Sequence, residues 1–134
     1  MVTLEDIEAF LDRLSVDGAS HREVEKGLWL VRPGGALDFD VVITFNPPVL
    51  LLRVKVMLLP VDGAELASLS RRLLELNAQD LLHGSYGIDG DNIVLTEALE
   101  LAHLDYEEFL ASYESMTLAL TSHMRELAAF REVR

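Results

Sequence analysis

The sequence predicts an α+β fold with the element order α-βββ-α-ββ-α and a five-stranded antiparallel sheet flanked by helices. Apolar residues recur at helical spacing near the N-terminus, in the middle of the chain and over a long C-terminal segment. Between these segments, apolar runs with a spacing of two are separated by Gly, Pro, Asn and Asp, which is typical of strands joined by turns. The length of 134 residues and the hydrophobic fraction of 50% suit a single domain over residues 1–134.

The first helix is predicted from about Thr3 to Leu14. Thr3 is a favourable N-cap, and Asp6 three residues later completes a variant of the capping box. The helix then breaks in the segment 15–20, which contains Asp17-Gly18.

Three strands are predicted next, at Val24–Arg32, Leu37–Asn46 and Val49–Leu59. The second strand alternates between apolar residues and mostly polar ones, so one of its faces should be buried and the other mostly solvated. Turns at Pro33-Gly34-Gly35 and Pro47-Pro48 separate the strands, because proline cannot donate to a ladder.

The next three elements are a helix at Gly63–Ala78 and two strands, Gly84–Asp89 and Asn92–Leu99, joined at Gly90-Asp91. Asp62 precedes the helix as its predicted N-cap.

The final helix is predicted from its N-cap Asp105 to about Arg131, and apolar residues occupy more than half of its girth. Such a helix needs cover on two sides, one from its own sheet and the other from a second subunit. We therefore expect a homodimer. The candidate interface residues are Ile93, Leu95, Tyr113, Met116 and Leu120.

The charge of the chain restricts its partners. Eleven basic residues face 23 acidic ones, the net charge is −12, and no Lys or Arg occurs from Leu73 through Met124. Because nucleic-acid binding depends on Lys and Arg neutralising phosphates, direct binding to DNA or RNA is not expected. The N-terminus lacks a basic signal-peptide region, and no apolar run is long enough to span a bilayer. With no cysteine present, these features predict a soluble, cytoplasmic protein without disulfides.

No motif predicts catalysis, a metal or a cofactor. The four histidines are isolated in sequence, and Glu100-Leu101-Ala102-His103 gives only one of the paired motifs that a di-iron site needs. Asp89-Gly90-Asp91-Asn92 is better explained as a hairpin turn than as a calcium loop. No serine lies in a Gly-x-Ser-x-Gly elbow, so the sequence indicates a protein that is not an enzyme.

The element order and the second half of the chain resemble the YbjN family, whose fold is similar to that of the type III secretion chaperones. The resemblance in residue pattern covers about residues 73–127. It is carried by Leu73–Ala78, His83–Asp89, Asn92–Thr96 and Met116–Leu120. It implies a homodimer that holds an extended or partly unfolded segment of a protein client.

We therefore interpret the chain as a homodimeric chaperone- or adaptor-like module that binds a protein client. The acids either only keep the domain soluble or form a face that attracts a basic client, which could itself be a nucleic-acid-binding protein. The alternative is a small regulatory or sensory domain with a small ligand between sheet and helix. The candidate partner-binding residues are two aromatics, each of which is also a plausible core residue, and four acids: Trp29, Tyr86, Asp89, Asp91, Glu107 and Glu108.

Overall fold

The computed structural model describes residues 1–16, 18–35 and 38–130 of the chain. These residues contain three helices, α1 (Leu4–Val16), α2 (Gly63–Gln79) and α3 (Tyr106–Ala128). The strands are β1 (Ser20–Glu25), β2 (Leu28–Arg32), β3 (Val41–Asn46), β4 (Val49–Leu58), β5 (Ser85–Asp89) and β6 (Asn92–Glu100).

The strands form one antiparallel sheet in the order β1-β2-β3-β4-β6-β5. β6 is inserted between β4 and β5, so β1 and β5 are the two edge strands. This arrangement confirms the predicted α+β class and antiparallel sheet. The sheet has six strands in the described residues, where five were predicted.

The two faces of the sheet have different environments. Side chains alternate along β4. The buried ones are Leu50, Leu52 and Val54, and the exposed ones on the other face include Arg53 and Lys55. The buried side chains share one core with the apolar faces of α1, α2 and α3. The opposite face has no helix from the described residues over it, and we call it the open sheet face. It includes Leu30, Val42, Leu51, Arg53, Lys55 and Val94.

α1 covers the side of α3 that we assigned to a second subunit. The Phe10 ring lies 5.7 Å from the rings of both Tyr106 and Phe109, measured between centroids. The guanidinium carbon of Arg13 lies 3.8 Å from the centroid of the Tyr106 ring. Most apolar side chains around α3 are therefore covered within one chain, although Leu118 stays 64% exposed.

The predicted N-caps are confirmed. The Asp62 carboxylate accepts a hydrogen bond from the Glu65 backbone N–H at 2.9 Å, and Asp105 accepts one from the Glu108 N–H at 2.8 Å. At α1, the Thr3 N–H donates to Asp6 and the Asp6 N–H donates to the Thr3 hydroxyl. Each bond satisfies a backbone donor that the first helical turn leaves free.

The predicted strand Val24–Arg32 is wrong, because this segment is part of the hairpin β1–β2. The chain turns at Lys26-Gly27, where Gly27 has a φ of 82°, a conformation that favours glycine. β1 has almost no apolar residues because it is an exposed edge strand, so its sequence lacks the alternation that marks a half-buried strand.

The other boundaries agree more closely. The strand predicted at 37–46 begins only at Val41, and its predicted first residue, Leu37, lies outside the described residues. The first helix was predicted to end at Leu14 but continues to Val16, into the predicted break at 15–20. Asp17 of that break and the predicted end of the last helix, at about Arg131, lie outside the described residues.

Candidate protein-binding surfaces

The two aromatic residues predicted to bind a partner lie in the core. Trp29 is 2% exposed on the covered face of β2, and Tyr86 is 5% exposed on the covered face of β5. Neither ring is available to a partner in the folded chain. The prediction missed this because an aromatic residue in a strand has the same sequence signal on either face of the sheet.

Tyr86 instead joins three elements through a buried polar network. Its hydroxyl lies 2.7 Å from Nδ1 of His123 in α3, and Nε2 of His123 contacts the carboxylate of Asp80 at the end of α2. Burial, with a further contribution from the Asp80 charge, raises the pKa of Tyr86 well above its usual range. The phenol therefore stays protonated at neutral pH.

The side chain of Asn77 in α2 occupies the outer edge of β5. Its Nδ2 donates to the Tyr86 carbonyl at 3.1 Å, and its Oδ1 accepts from the Tyr86 N–H at 2.7 Å. The amide thus takes the place that a further strand would have at this position. Unpaired edge groups are a common point of association between sheets, so Asn77 protects β5 at Tyr86.

The four acidic candidates are all exposed, but they do not form one patch. Asp89 and Asp91 lie at the turn before β6, whereas Glu107 and Glu108 lie in the first turn of α3, after β6 has ended. The nine residues of β6 separate the two pairs, a length of about 30 Å at the rise of a strand.

Asp89 also forms an ion pair with Arg53 on the open sheet face. In the sheet, Arg53 lies opposite Thr96 of β6, and Asp89 lies opposite Asn92 of the same strand. Val94 is between Thr96 and Asn92, so the ion pair passes over it. Val94 is buried although no described helix covers this face.

The predicted dimer-interface residues are also core residues. Each is at most 5% exposed within a single chain, so none is available to contact a second subunit. They are Ile93, Leu95, Tyr113, Met116 and Leu120. Residues of β6 were assigned to an interface because this strand is adjacent to the final helix, but β6 lies inside the sheet, between β4 and β5.

Exposed apolar surface is found instead where α2 meets the edge strand β5. Leu74 is 67% exposed and Ile88 is 56% exposed. They border a cleft of about 220 Å³, which we call the α2–β5 groove. Its lining residues are Ser70, Leu73, Leu74, Tyr86, Gly87 and Ile88. Leu82, just beyond α2, is 89% exposed.

The sequence contained a signal for this groove that our predictions did not use. Leu73 and Leu74 are adjacent on α2, and only one of two adjacent helical residues can point directly at the same core. Leu73 takes the buried position, so Leu74 is left at the surface.

The open sheet face is a second surface with apolar character. Leu30, Val42 and Leu51 on it are only half-buried, and Arg53 and Lys55 lie among them. At one end of this surface, the segment Asp38–Asp40 helps to form a cleft of about 280 Å³.

One constellation resembles a catalytic triad in composition but not in geometry. His83 Nδ1 lies 3.3 Å from Ser112 Oγ and 3.5 Å from the carboxylate of Glu97. In a catalytic triad, the serine and the acid contact different nitrogens of the histidine ring. Here Nδ1 of His83 faces both side chains. Ser112 is also buried, and the Glu97 carboxylate accepts from the Gly84 N–H. The cluster therefore lacks the geometry of a catalytic triad.

Within the described part of the chain, no three His, Asp or Glu side chains converge in a way that could hold a metal ion. Among the same residues, no helix has the length and apolar content needed to span a membrane.

The family model CesT_Tir_1 matches residues 1–132, nearly the whole chain. The chain belongs to this family. CesT_Tir_1 is a family of type III secretion chaperones, and the resemblance seen in the sequence is therefore confirmed. No curated protein matches the chain in sequence.

Solved structures share the fold of this CesT_Tir_1 domain at low sequence identity. The ExoU–SpcU complex from the type III secretion system of Pseudomonas aeruginosa matches with 16% identity and a TM-score of 0.68, over 94% of this chain and 98% of that one. YbjN from E. coli matches with 17% identity and a TM-score of 0.66, over 94% of each chain. The Yersinia pestis chaperone SycH, solved with a fragment of YscM2, matches with 15% identity and a TM-score of 0.61, over 90% of this chain and 98% of that one.

Proposed function

We propose that this CesT_Tir_1 domain is a non-enzymatic, homodimeric chaperone or adaptor that binds an extended segment of a protein client. The observation that carries the proposal is the apolar surface at the α2–β5 groove and on the open sheet face. Apolar surface rimmed by polar residues is typical of sites where proteins associate. The solved complexes of SpcU with ExoU and of SycH with a YscM2 fragment support a protein as the ligand.

The α2–β5 groove is the surface we assign to the dimer. It lies at an edge of the sheet and is apolar, and a two-fold axis would bring two identical copies of it together. Because Asn77 already occupies the backbone groups of Tyr86, we expect the two copies to meet through side chains such as Leu74 and Ile88. A backbone ladder between the copies is not expected at Tyr86.

The open sheet face is the surface we assign to the client. An extended segment laid across it would cover Leu30, Val42 and Leu51 with its own apolar side chains. This position leaves the α2–β5 groove free, so the dimer can form while the client is bound.

The net charge of −12 supports a basic client, and nucleic-acid-binding proteins are one class of such clients. Exposed charges mainly steer association, and apolar contacts must supply most of the affinity. The acids lie at both ends of β6, so we expect attraction from several sides and not from one patch. The same charge disfavours binding to anionic membrane surfaces, and the chaperone family supports a cytoplasmic protein that acts on proteins.

Leu51→Asp is expected to weaken client binding by about tenfold or more. The substitution removes an apolar contact on the open sheet face and places a charge where the client would exclude water. Clients recovered by pull-down at low and high salt would be identified by mass spectrometry, and their affinity for each variant measured by surface plasmon resonance.

Ala9→Asp is the matched control, because it adds the same charge on the exposed side of α1. Equal weakening by both substitutions would show that the open sheet face is not the client site.

Purified protein is expected to give no gel shift with single- or double-stranded DNA at near-physiological salt. The stretch from Leu73 through Met124 has no Lys or Arg and contains ten acids, so it repels phosphates. A shift that occurs whatever the DNA sequence would contradict the prediction that the protein does not bind nucleic acid directly.

A further inference from the structure

The open sheet face holds four of the eleven Lys and Arg residues of this acidic chain. Arg53 and Lys55 lie on it in β4. Arg22 lies opposite Leu30 in the β1–β2 hairpin, and opposite residues of a ladder share a face. Arg32 follows Leu30 by two residues in β2, so it is on the same face. The surface that we assign to the client is therefore not uniformly acidic, although the chain as a whole is.

One row of side chains crosses this face from edge to edge and contains no acid. Its members, in the order β1, β2, β3, β4, β6 and β5, are Arg22, Leu30, Val42, Arg53, Thr96 and Ser85. Leu30 and Val42 are half-buried, with a guanidinium on either side of them. Arg22 and Arg53 are three strands apart, which is about 14 Å at the usual spacing of strands. The row thus has an apolar centre between two basic groups.

The ion pairs within the chain use only some of these basic groups. Arg32 is paired with two aspartates of the segment before β3, at 3.0 and 3.2 Å, and Arg53 is paired with Asp89. Arg22 and Lys55 are exposed and form no ion pair within the described part of the chain. A cation without a counter-charge is therefore available at each end of the apolar centre, since Lys55 follows Arg53 by two residues.

A cleft of about 340 Å³ lies at the Arg22 end of the row. It is lined by Ser20, His21, Arg22, Leu30, Arg32 and Asp40. Asp40 is the one acid in this lining, and it is already paired with Arg32. Two further acids of the open sheet face, Glu25 and Glu100, are the last residues of β1 and β6 and lie outside the row. The cleft therefore has room and a free guanidinium for an acidic side chain.

An extended segment that crosses the strands matches the row in length. In an extended chain every second side chain is on the same side, and positions i and i+4 are about 13–14 Å apart. Positions i, i+2 and i+4 therefore reach one end, the centre and the other end of the row. Carboxylates pair well with guanidinium and ammonium groups, whereas covering a cation without a counter-charge costs free energy.

We propose that the bound client segment carries an acidic, an apolar and a second acidic residue at alternate positions, and that it crosses the open sheet face along this row. The first carboxylate binds Arg22, and the second binds Lys55 beside Arg53. The apolar side chain covers Leu30 and Val42. This inference rests on the proposed function, because it names the chemistry of the segment that the open sheet face binds.

An acidic segment is compatible with a client that is basic elsewhere. At physiological salt, exposed charges are largely screened beyond about 8 Å. The bound segment therefore responds mainly to the charges of the face that it contacts. The acids on the rest of the chain attract basic parts of the client that lie outside this segment.

The test uses three heptapeptides blocked at both ends, titrated into the ¹⁵N-labelled full chain and followed by NMR. The acidic peptide is Ser-Glu-Ser-Leu-Ser-Glu-Ser, the basic peptide has Lys in place of both Glu, and the reordered peptide is Ser-Ser-Ser-Leu-Ser-Glu-Glu. We expect the acidic peptide to cause saturable shifts, at millimolar concentration, in the amide signals of the row and of Lys55. The basic peptide should bind about fivefold more weakly or worse, because two attractions become repulsions. The reordered peptide should bind about twofold more weakly or worse, because only one of its carboxylates reaches a cation.

Arg22→Glu should reverse the charge preference at one end of the row. It should weaken binding of the acidic peptide by about threefold and strengthen binding of the basic peptide by a similar factor. The melting temperature should stay unchanged, because Arg22 is exposed and has no ion pair to lose. Arg71→Glu is the matched control, since it makes the same charge change on the exposed side of α2, and it should leave both affinities nearly unchanged.

The proposal is overturned if the acidic peptide causes no saturable shift along the row, or if the basic peptide binds at least as tightly. Equal effects of Arg22→Glu and Arg71→Glu would also overturn it, because the net charge alone would then decide binding. Equal affinities of the acidic and reordered peptides would overturn the alternate spacing. A gel shift with DNA that Arg22→Glu abolishes would assign the row to phosphates and not to a protein.

Two further outcomes separate this proposal from the proposed function. If Leu51→Asp weakens client binding but the acidic peptide does not bind, the open sheet face remains the client site and only the acidic chemistry of the segment is overturned. If the acidic peptide binds but no protein client does, both the proposed function and the client segment are overturned.

Discussion

Leu74→Asp is expected to convert the protein from a dimer into a monomer of 14.9 kDa. Leu74 is mostly exposed in the single chain, at the rim of the α2–β5 groove. In a two-fold dimer each substitution acts twice. Losing the burial of two leucine side chains costs about 3–6 kcal/mol, and burying two carboxylates adds to that cost. The dissociation constant should therefore rise by about 10²–10⁴ or more.

The measurement is light scattering coupled to size-exclusion chromatography, at tens of micromolar protein. Ile88→Asp on the opposite wall of the groove should have the same effect. Leu118→Asp is the matched control, because Leu118 is a leucine on a helix with a similar exposed fraction. A wild-type protein that is monomeric at this concentration would contradict the homodimer. Dimers in both groove variants, or a monomer with Leu118→Asp, would place the interface elsewhere.

The features of the fold that could be predicted from the sequence are those determined by neighbouring residues. An N-cap such as Asp62 or Asp105 acts on a backbone N–H three residues away, so its signal is complete within four residues. The turn at Gly90-Asp91 is also a local feature. Amphipathic spacing then identified α1, α2, α3 and most of the strands to within a few residues.

The features that could not be predicted depend on which elements meet in space. The position of β6 inside the sheet buries Ile93 and Leu95, and nothing in their local sequence distinguishes a central strand from an edge strand. The apolar side of α3 could be covered equally well by a second subunit or by α1. Phe10 settles that choice only once the packing is known.

The polar contacts that hold the candidate surfaces together are also long-range. Asp80 and His123 are 43 residues apart, and Tyr86 and His123 are 37 apart. Each residue on its own has an ordinary sequence context. The hydroxyl of Tyr113 has no hydrogen-bond partner among the described residues. This too is a property of packing, because a tyrosine on an apolar helical stripe has the same sequence signal whether or not its hydroxyl is satisfied.

Trp29→Ala is expected to lower the free energy of unfolding by about 3–5 kcal/mol, because the substitution leaves a large cavity in the core. Trp29 is among the largest fully buried side chains and faces the helices from β2, opposite Ile43 of β3. Stabilities of single domains are about 5–15 kcal/mol, so this loss is a large fraction of the total.

The measurement is urea denaturation followed by circular dichroism, because Trp29 is the only tryptophan of the chain and its fluorescence is lost in the variants. Trp29→Phe is the control and should cost less, since a phenyl ring fills much of the space that the indole leaves. Each variant, as long as it remains folded, should bind the client with the wild-type affinity, because the buried ring does not contact the client. If Trp29→Ala kept its stability but bound client more weakly, the indole would be a binding anchor and its placement in the core would be wrong.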